Sequence, residues 1–384
     1  MFQNSALLQQ LTSIVTTILK SRPHDDFSRL SIFPVKDPKY FVLYHRSESQ
    51  RWPETDVNVV TDLPEFDALS DRAQSIVLDI ISFFLVGDGV VNEALIRLFM
   101  DYIISIANGK AMPLERLNTI MSQMSMETVH QGSYTIAGLT YAKSMDRLEE
   151  LIRRAKSTPQ MRAKIEFSER WTESDTPAWQ RLVANSAMEG IGFVAAFAVI
   201  FYFRSIDKLK KFVSLNELIA KDEFLHREIC VVQALDELGY TCRFEVGPDG
   251  IEHVCGIEEE MTPEVEEVIR TIVREAVAVE DAFADHLLSE PLDDFNKEDL
   301  KLYIRSIANT LLRMFGLDDE WDVVNPFNWM GAINMEQKTN MFEGTVVAYA
   351  NSNLKKMLDY KARAGLEKVE VSVAHLTKPE DADF

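Results

Sequence analysis

The chain has 384 residues, 46% hydrophobic and 26% charged, the balance of an ordinary soluble protein. A formal net charge of −21 argues against nucleic acid or an anionic membrane as partner. Its three cysteines, Cys230, Cys242 and Cys255, are odd in number and lack C-x-x-C spacing, so neither a disulfide framework nor a zinc site is expected. Nothing Gly/Ser/Pro-rich, low-complexity or repetitive divides the chain. No basic segment precedes an apolar one at the N-terminus, so no secretory signal is read and a cytoplasmic protein is expected.

Residues 1–65 read as one helix at about 5–20 and then a Pro-punctuated irregular segment. From Phe66 to about Asn108, apolar residues recur at helical spacing through Leu69, Ala73, Ile76, Ile80, Phe83 and Phe84. Gly87 and Gly89 flank Asp88 in this run. A helical glycine costs roughly 1 kcal/mol relative to alanine, so the pair predicts local unwinding at a site. Further helices are expected at about 113–142, 147–157, 176–206, 214–239, 263–289 and 297–315. Ser214 and Thr262 serve as their N-caps, the latter followed by Pro263 at the first helical position. The apolar stretch Gly190–Phe203, about 14 residues, is too short to span a bilayer and predicts a helix buried on all sides. Between Tyr240 and Gly256 the pattern is a β-hairpin, and Ala362–Phe384 ends in an acidic tail. The predicted class is all-α, a large helical bundle with one small hairpin.

Two Glu-x-x-His pairs stand out, Glu127/His130 and Glu223/His226. Residues three apart share a helix face, so each pair aims a carboxylate and an imidazole at one point, and random placement would give about 0.6 such pairs. Both lie in apolar-periodic segments, where an ionised carboxylate needs a partner. Taken singly, such a pair is as well explained as a satisfied polar core pair, Asp88 as a turn residue, and Glu189 as part of a polar face. Taken together they are not. Asp88, Glu127/His130, Glu189 and Glu223/His226 follow the order of ferritin-like di-metal bundles, where two helices give a carboxylate and two give Glu-x-x-His. Four carboxylates balance two divalent cations, whereas without metal they would have to take up protons.

Tyr134 follows Glu127 by seven residues and His130 by four, so all three share a face. Phe193 and Phe197 follow Glu189 at i+4 and i+8, and Ile219 precedes Glu223 by four. These would wall the phenol in apolar surface, and a dry pocket protects a one-electron-oxidised tyrosine. Core packing explains Phe193 and Phe197 equally well.

Four segments resemble the radical-generating small subunit of class I ribonucleotide reductase: Asp88–Glu93, Glu127–Tyr134, Ala187–Glu189 with Phe193, and Ala220–His226. The resemblance covers roughly Trp52 to Tyr349 and the extreme C-terminus. It implies a ferritin-like bundle over 66–340, an N-terminal segment 1–65 and a flexible docking tail 341–384. It also implies that Asp88, Glu127, His130, Glu189, Glu223 and His226 hold two iron ions, oxo-bridged when oxidised, or manganese. Dioxygen reacting there would leave a stable radical on Tyr134. Trp52 matches the family's near-surface tryptophan, and Asp222 the carboxylate that joins it to a ligand histidine. Tyr349 matches the tail tyrosine that relays the radical, and Glu343 an acidic position tied to that transfer. The segment Glu380–Phe384 resembles tails that dock into the large subunit, which binds the nucleotide, and a homodimer is implied. The chain departs from many relatives at Lys221, where they carry Arg, and at Asn58, where they carry Asp. Other readings are a di-iron oxygenase or desaturase component, a ferroxidase or storage protein, and a metal-free helical scaffold.

Overall fold

The computed structural model describes Ile32 and residues 35–107, 114–172, 175–247, 251–293 and 295–327. The helix expected at about 5–20, Glu343, Tyr349 and the tail 341–384 lie outside the described residues. In chain order the elements are α1 (Pro38–Gln50), a 3-10 turn (Val59–Asp62), α2 (Leu63–Asp67), α3 (Asp71–Ala107), α4 (Leu114–Ala142), α5 (Met145–Ser157) and α6 (Pro159–Thr172). Then come α7 (Ala178–Gly190), α8 (Val194–Ser205), α9 (Lys210–Leu238), β1 (Cys242–Val246), β2 (Glu252–Ile257), α10 (Pro263–Leu287) and α11 (Lys297–Met314). The fold is all-α and ferritin-like with one two-stranded antiparallel hairpin, as the apolar periodicity predicts.

The chain divides into two compact units. Among the described residues, one comprises Ile32, 35–51, 95–107 and 114–125, and the other 52–94, 126–172, 175–247, 251–293 and 295–327. Within the first, Thr119 Oγ1 donates to the Tyr40 carbonyl at 3.2 Å and Ser122 Oγ to Glu48 Oε1 at 2.7 Å. Within the second, α7 and α9 pack along each other, and α10 and α11 pack against α7 and α8. Every residue from Val194 to Phe203 of α8 is buried, because no position in that stretch is polar enough to favour water. The segments Asp71–Asp101 and Ala178–Ser205 are long and apolar enough to cross a membrane, but the most apolar 18 residues of the second are all buried within the protein.

Several expectations are corrected. Helix α3 runs unbroken through Gly87, Asp88 and Gly89, so there is no unwinding. Gly87 serves packing instead: a Cβ there would lie 3.1 Å from the ring edge of Phe193. The helix expected over 176–206 is two helices, α7 and α8, parted at Ile191–Phe193. Gly192 turns that corner, where a Cβ would come within 2.8 Å of the Met188 carbonyl oxygen. Glu189 therefore ends α7 rather than opening the apolar helix. Ser214 is not an N-cap, since α9 begins at Lys210. Its first amides are capped from afar, Lys211 and Phe212 N–H both donating to Asp62 Oδ2 at 2.7 and 2.9 Å. Thr262 does hold the N-cap position of α10 before Pro263, though its side chain makes no capping bond. Helices α1, α2 and α6 were not expected, and the helical reading from Phe66 is interrupted at Ala68–Ser70, between α2 and α3. Helix α6 starts at Pro159, with Thr158 Oγ1 accepting the Met161 N–H at 3.2 Å.

Candidate metal centre

Four helices each bring one or two ionisable groups into the interior of the larger unit. Helix α3 supplies Asp88, α4 supplies Glu127 and His130, the last turn of α7 supplies Glu189, and α9 supplies Glu223 and His226. All six side chains are at most 2% exposed. Glu127, Glu189, Glu223 and His226 each place a donor atom within 4.8 Å of the others. His130 Nδ1 joins them, 3.1 Å from Glu223 Oε1 and 3.5 Å from Glu127 Oε2. His226 Nδ1 lies 2.8 Å from Glu127 Oε1 and 3.4 Å from Glu223 Oε2. Asp88 raises no separate patch of charge, for it acts electrostatically on the same groups.

The electrostatics of the metal-free cluster are those of too many buried anions. Burial, then the charges of Glu127 and Glu223, push the Asp88 carboxyl well above its ordinary range. Burial followed by Glu223 and Glu127 does the same to Glu189. Burial opposes ionisation of Glu223 too, but hydrogen bonds and charge from His130 outweigh it and hold that carboxyl low. Burial disfavours the charged imidazoles, yet the surrounding carboxylates win: His130 is raised well above its usual value and His226 to about 9. Protons thus fill the role that cations would fill.

The donor chemistry suits a pair of hard or borderline divalent ions. Both oxygens of Asp88, Glu127 and Glu223, and Nδ1 of both histidines, are buried without a well-directed hydrogen bond. Orphaned acceptors facing one another inside a core are costly unless a cation collects them. Four carboxylates and two imidazoles, with the metal-facing nitrogen being Nδ1 in each ring, make an oxygen-rich N/O set appropriate to iron or manganese.

The other nitrogen of His130 is held from outside the cluster. His130 Nε2 lies 3.2 Å from Asp222 Oδ2, and the same oxygen accepts the Trp52 Nε1–H at 2.7 Å. The Trp52 and His130 rings lie 6.1 Å apart, 22° from parallel. A carboxylate so placed fixes the imidazole tautomer that frees Nδ1 for metal. Asp222→Ala is expected to weaken metal affinity roughly 10- to 100-fold by this loss; titration of metal into the metal-free variant reads it, and unchanged affinity would show that Asp222 does not orient the ring.

Tyr134 is wholly buried on α4. Phe84 lies flat on its ring, with centroids 4.3 Å apart and 5° between planes. Phe193 and Phe197 pack on Phe84 at 5.5 and 5.1 Å, and Ile219 is buried on α9. Burial, then the charges of Asp88, Glu223 and Glu127, push the phenol well above its usual pKa, so it stays protonated beside the cluster. Its hydroxyl donates to Asn216 Oδ1 at 2.6 Å. Sequence reasoning missed Asn216 and Phe84. The signal for Asn216 was present: it precedes Ile219 by three and Glu223 by seven, a polar side chain on the ligand face of α9. Also missed was the buried pair Lys164 and Glu280, which sits at the α7–α8 corner.

Fold and site together define a helical bundle protein that buries a carboxylate–imidazole cluster beside a sequestered tyrosine. Comparison with known proteins narrows this. The ribonucleotide reductase small-chain family matches residues 29–237 and 250–326, and the chain belongs to it. It is similar to the ribonucleoside-diphosphate reductase small chain of Plasmodium falciparum, 27% identical over 85% of this chain and 84% of that one. A ribonucleoside-diphosphate reductase subunit of Danio rerio is 28% identical over 86% of this chain and 77% of its own length. Among solved structures, the dimanganese(II)-NrdF of Streptococcus sanguinis superposes with a TM-score of 0.63 at 18% identity, covering 78% of this chain and 96% of that one. A ribonucleotide reductase homodimer from Saccharomyces cerevisiae gives 0.62 at 19%, covering 93% and 99%.

Proposed function

We propose that this small chain generates and stores one oxidising equivalent as a neutral radical on Tyr134, for delivery to a large subunit that reduces ribonucleotides. The observation that carries the reading is the fully buried phenol, stacked on Phe84 and lying in the field of three cluster carboxylates. Asp88, Glu127, His130, Glu189, Glu223 and His226 would hold two ions, iron or manganese. When bound there, such ions supply dioxygen activation, which no side chain provides. The chain's residues do the rest. Phe84, Phe193, Phe197 and Ile219 exclude water and reductants from the phenol. Loss of one electron and one proton turns Tyr134 into a neutral phenoxyl. Asp222 ties the His130 imidazole to the Trp52 indole, a hydrogen-bonded path leading away from the cluster. Tyr349 would continue that path in the tail, and the protein would work as a cytoplasmic homodimer, its three cysteines all free thiols.

Reconstitution of metal-free protein with ferrous or manganous ion and dioxygen, followed by paramagnetic resonance and metal quantification, tests this. Wild type is expected to give a tyrosyl signal, and Tyr134→Phe to keep its metal and lose the signal. A signal that survives Tyr134→Phe refutes the assignment.

Removing Glu380–Phe384 is expected to weaken binding to the large subunit about thirtyfold, the loss of one aromatic anchor worth about 2 kcal/mol. Metal content should not change. Unaltered binding would leave the tail a solvated segment.

A further inference from the structure

Tyr134 and Asn216 make a polar contact where the phenol, beside the carboxylate cluster, is otherwise walled by Phe84 and its neighbouring rings. Asn216 is 0% exposed, and two bonds fix the direction of its amide. Asn216 Nδ2 donates to the Phe212 carbonyl, one turn back on α9, at 2.8 Å. Its Oδ1 accepts the Tyr134 hydroxyl at 2.6 Å. The opposite orientation would aim Oδ1 at the Phe212 oxygen, placing two acceptors face to face. The phenol therefore meets the end of the amide that can only accept.

We infer that Asn216 is a positioning residue that favours the reduced, protonated Tyr134 and so limits how long an oxidised Tyr134 persists. The inference rests on the radical reading above and deepens it. In the reduced state a donor meets an acceptor. A phenoxyl oxygen has no proton and faces Oδ1 as a second acceptor. Turning the amide over would give the phenoxyl a donor, but it would strip Phe212 of its extra donor and set two oxygens together there. Either way the oxidised form loses an interaction that the reduced form keeps. An amide oxygen is far too weak a base to take the proton, so the contact holds the hydroxyl and does not relay its proton. Reduction of the phenoxyl takes one electron from a reductant and one proton from solvent, and it restores the O–H bond that Asn216 accepts.

The position of the pair explains why a polar residue is tolerated in this wall. Asn216 shares a face of α9 with Ile219 and Glu223, so an apolar residue there would complete the pocket. Leucine has nearly the shape of asparagine and no acceptor. Replacing Asn216 with leucine leaves a buried phenolic O–H unsatisfied in the reduced state, at no cost to the phenoxyl.

The test compares wild type, Asn216→Leu and, should leucine overpack the site, Asn216→Val. In metal-free protein, ultraviolet resonance Raman difference spectra against Tyr134→Phe isolate the Tyr134 ring. Wild type should show a strongly hydrogen-bond-donating phenol, and the apolar variants should lose that signature. In reconstituted protein, metal content should be unchanged while the radical's half-life under a fixed concentration of hydroxylamine lengthens on the order of tenfold. Identical Raman signatures, or an equal or shorter half-life, overturn the inference. Absence of any radical in metal-loaded wild type overturns the radical reading itself and the redox consequence with it. The Raman comparison separately decides whether Asn216 holds the phenol.

Discussion

Glu223→Ala is expected to cut bound metal to less than half the wild-type stoichiometry. Glu223 stands between the two imidazoles, with one oxygen 3.1 Å from His130 Nδ1 and the other 3.4 Å from His226 Nδ1. It is also one of the four groups whose donor atoms converge within 4.8 Å. A carboxylate this close to both histidines would be available to either ion, so its removal takes a donor from the centre of the cluster. It also removes a carboxylate that the histidines hold low. Asp88 and Glu189, whose carboxyls burial pushes up, would have to ionise without it. The readout is elemental analysis after loading, with thermal unfolding as a second measure. Ligand present at 100 times its dissociation constant adds about 2.7 kcal/mol of stability. Metal should therefore raise the wild-type transition temperature and leave that of Glu223→Ala nearly unmoved. Full loading of the variant would remove Glu223 from the ligand set. Glu189→Ala should lower stoichiometry in the same assay, though less, because Glu189 approaches the cluster from the end of a single helix.

The periodic parts of this fold were legible in the residues themselves. Helices α10 and α11 announce themselves by apolar spacing, and the buried carboxylate–imidazole cluster by the fixed offsets of Glu-x-x-His on α4 and α9. The break at Ile191–Phe193 was not legible, because an unbroken apolar run has no phase to lose. Gly192 makes the turn locally, and the backbone groups it frees are met from elsewhere in the chain by Lys164 and Glu280. The start of α9 was misplaced for a related reason, since Asp62 caps it from about 150 residues away. Helix α6 hides because its buried face mixes Met161, Lys164, Phe167 and Ser168, two of them polar. Gly87 and Gly89 misled in the opposite sense. Glycine reads as a flaw in a helix, yet at Gly87 the missing side chain makes room for a phenylalanine from another helix. Asn216 was passed over because a single amide among apolar neighbours has no partner until the fold brings Tyr134 to it.

Lys164→Met is expected to destabilise the protein by about 3–5 kcal/mol, the usual result of stripping one partner from a buried ion pair. Typical domains are stable by only about 5–15 kcal/mol, so the loss is a large share of the whole. Lys164 and Glu280 are 2% and 0% exposed, and the lysine Nζ also lies over the rings of Phe83 and Phe283. Burial pushes the lysine down and the glutamate up, and their mutual attraction does not fully compensate either shift. Mutual attraction alone is thus a poor reason for the pair to exist. Its bonds to the main chain are a better one. Lys164 Nζ donates to the Gly192 carbonyl, and Glu280 Oε1 accepts the Ala195 N–H at 2.7 Å. These are the carbonyl and amide that the corner between α7 and α8 leaves without helical partners. A double variant distinguishes the two roles. Lys164→Met with Glu280→Gln keeps an acceptor for Ala195 and buries no charge, so only the Gly192 oxygen is orphaned, at about 1–3 kcal/mol. Urea unfolding should therefore place the double variant above the single one in stability and below wild type. Because Glu189 precedes this corner and Phe193 lies within it, the single variant should also load less metal. A single variant as stable as wild type would show that the corner stands without its lysine, and the position of Glu189 would then need another cause.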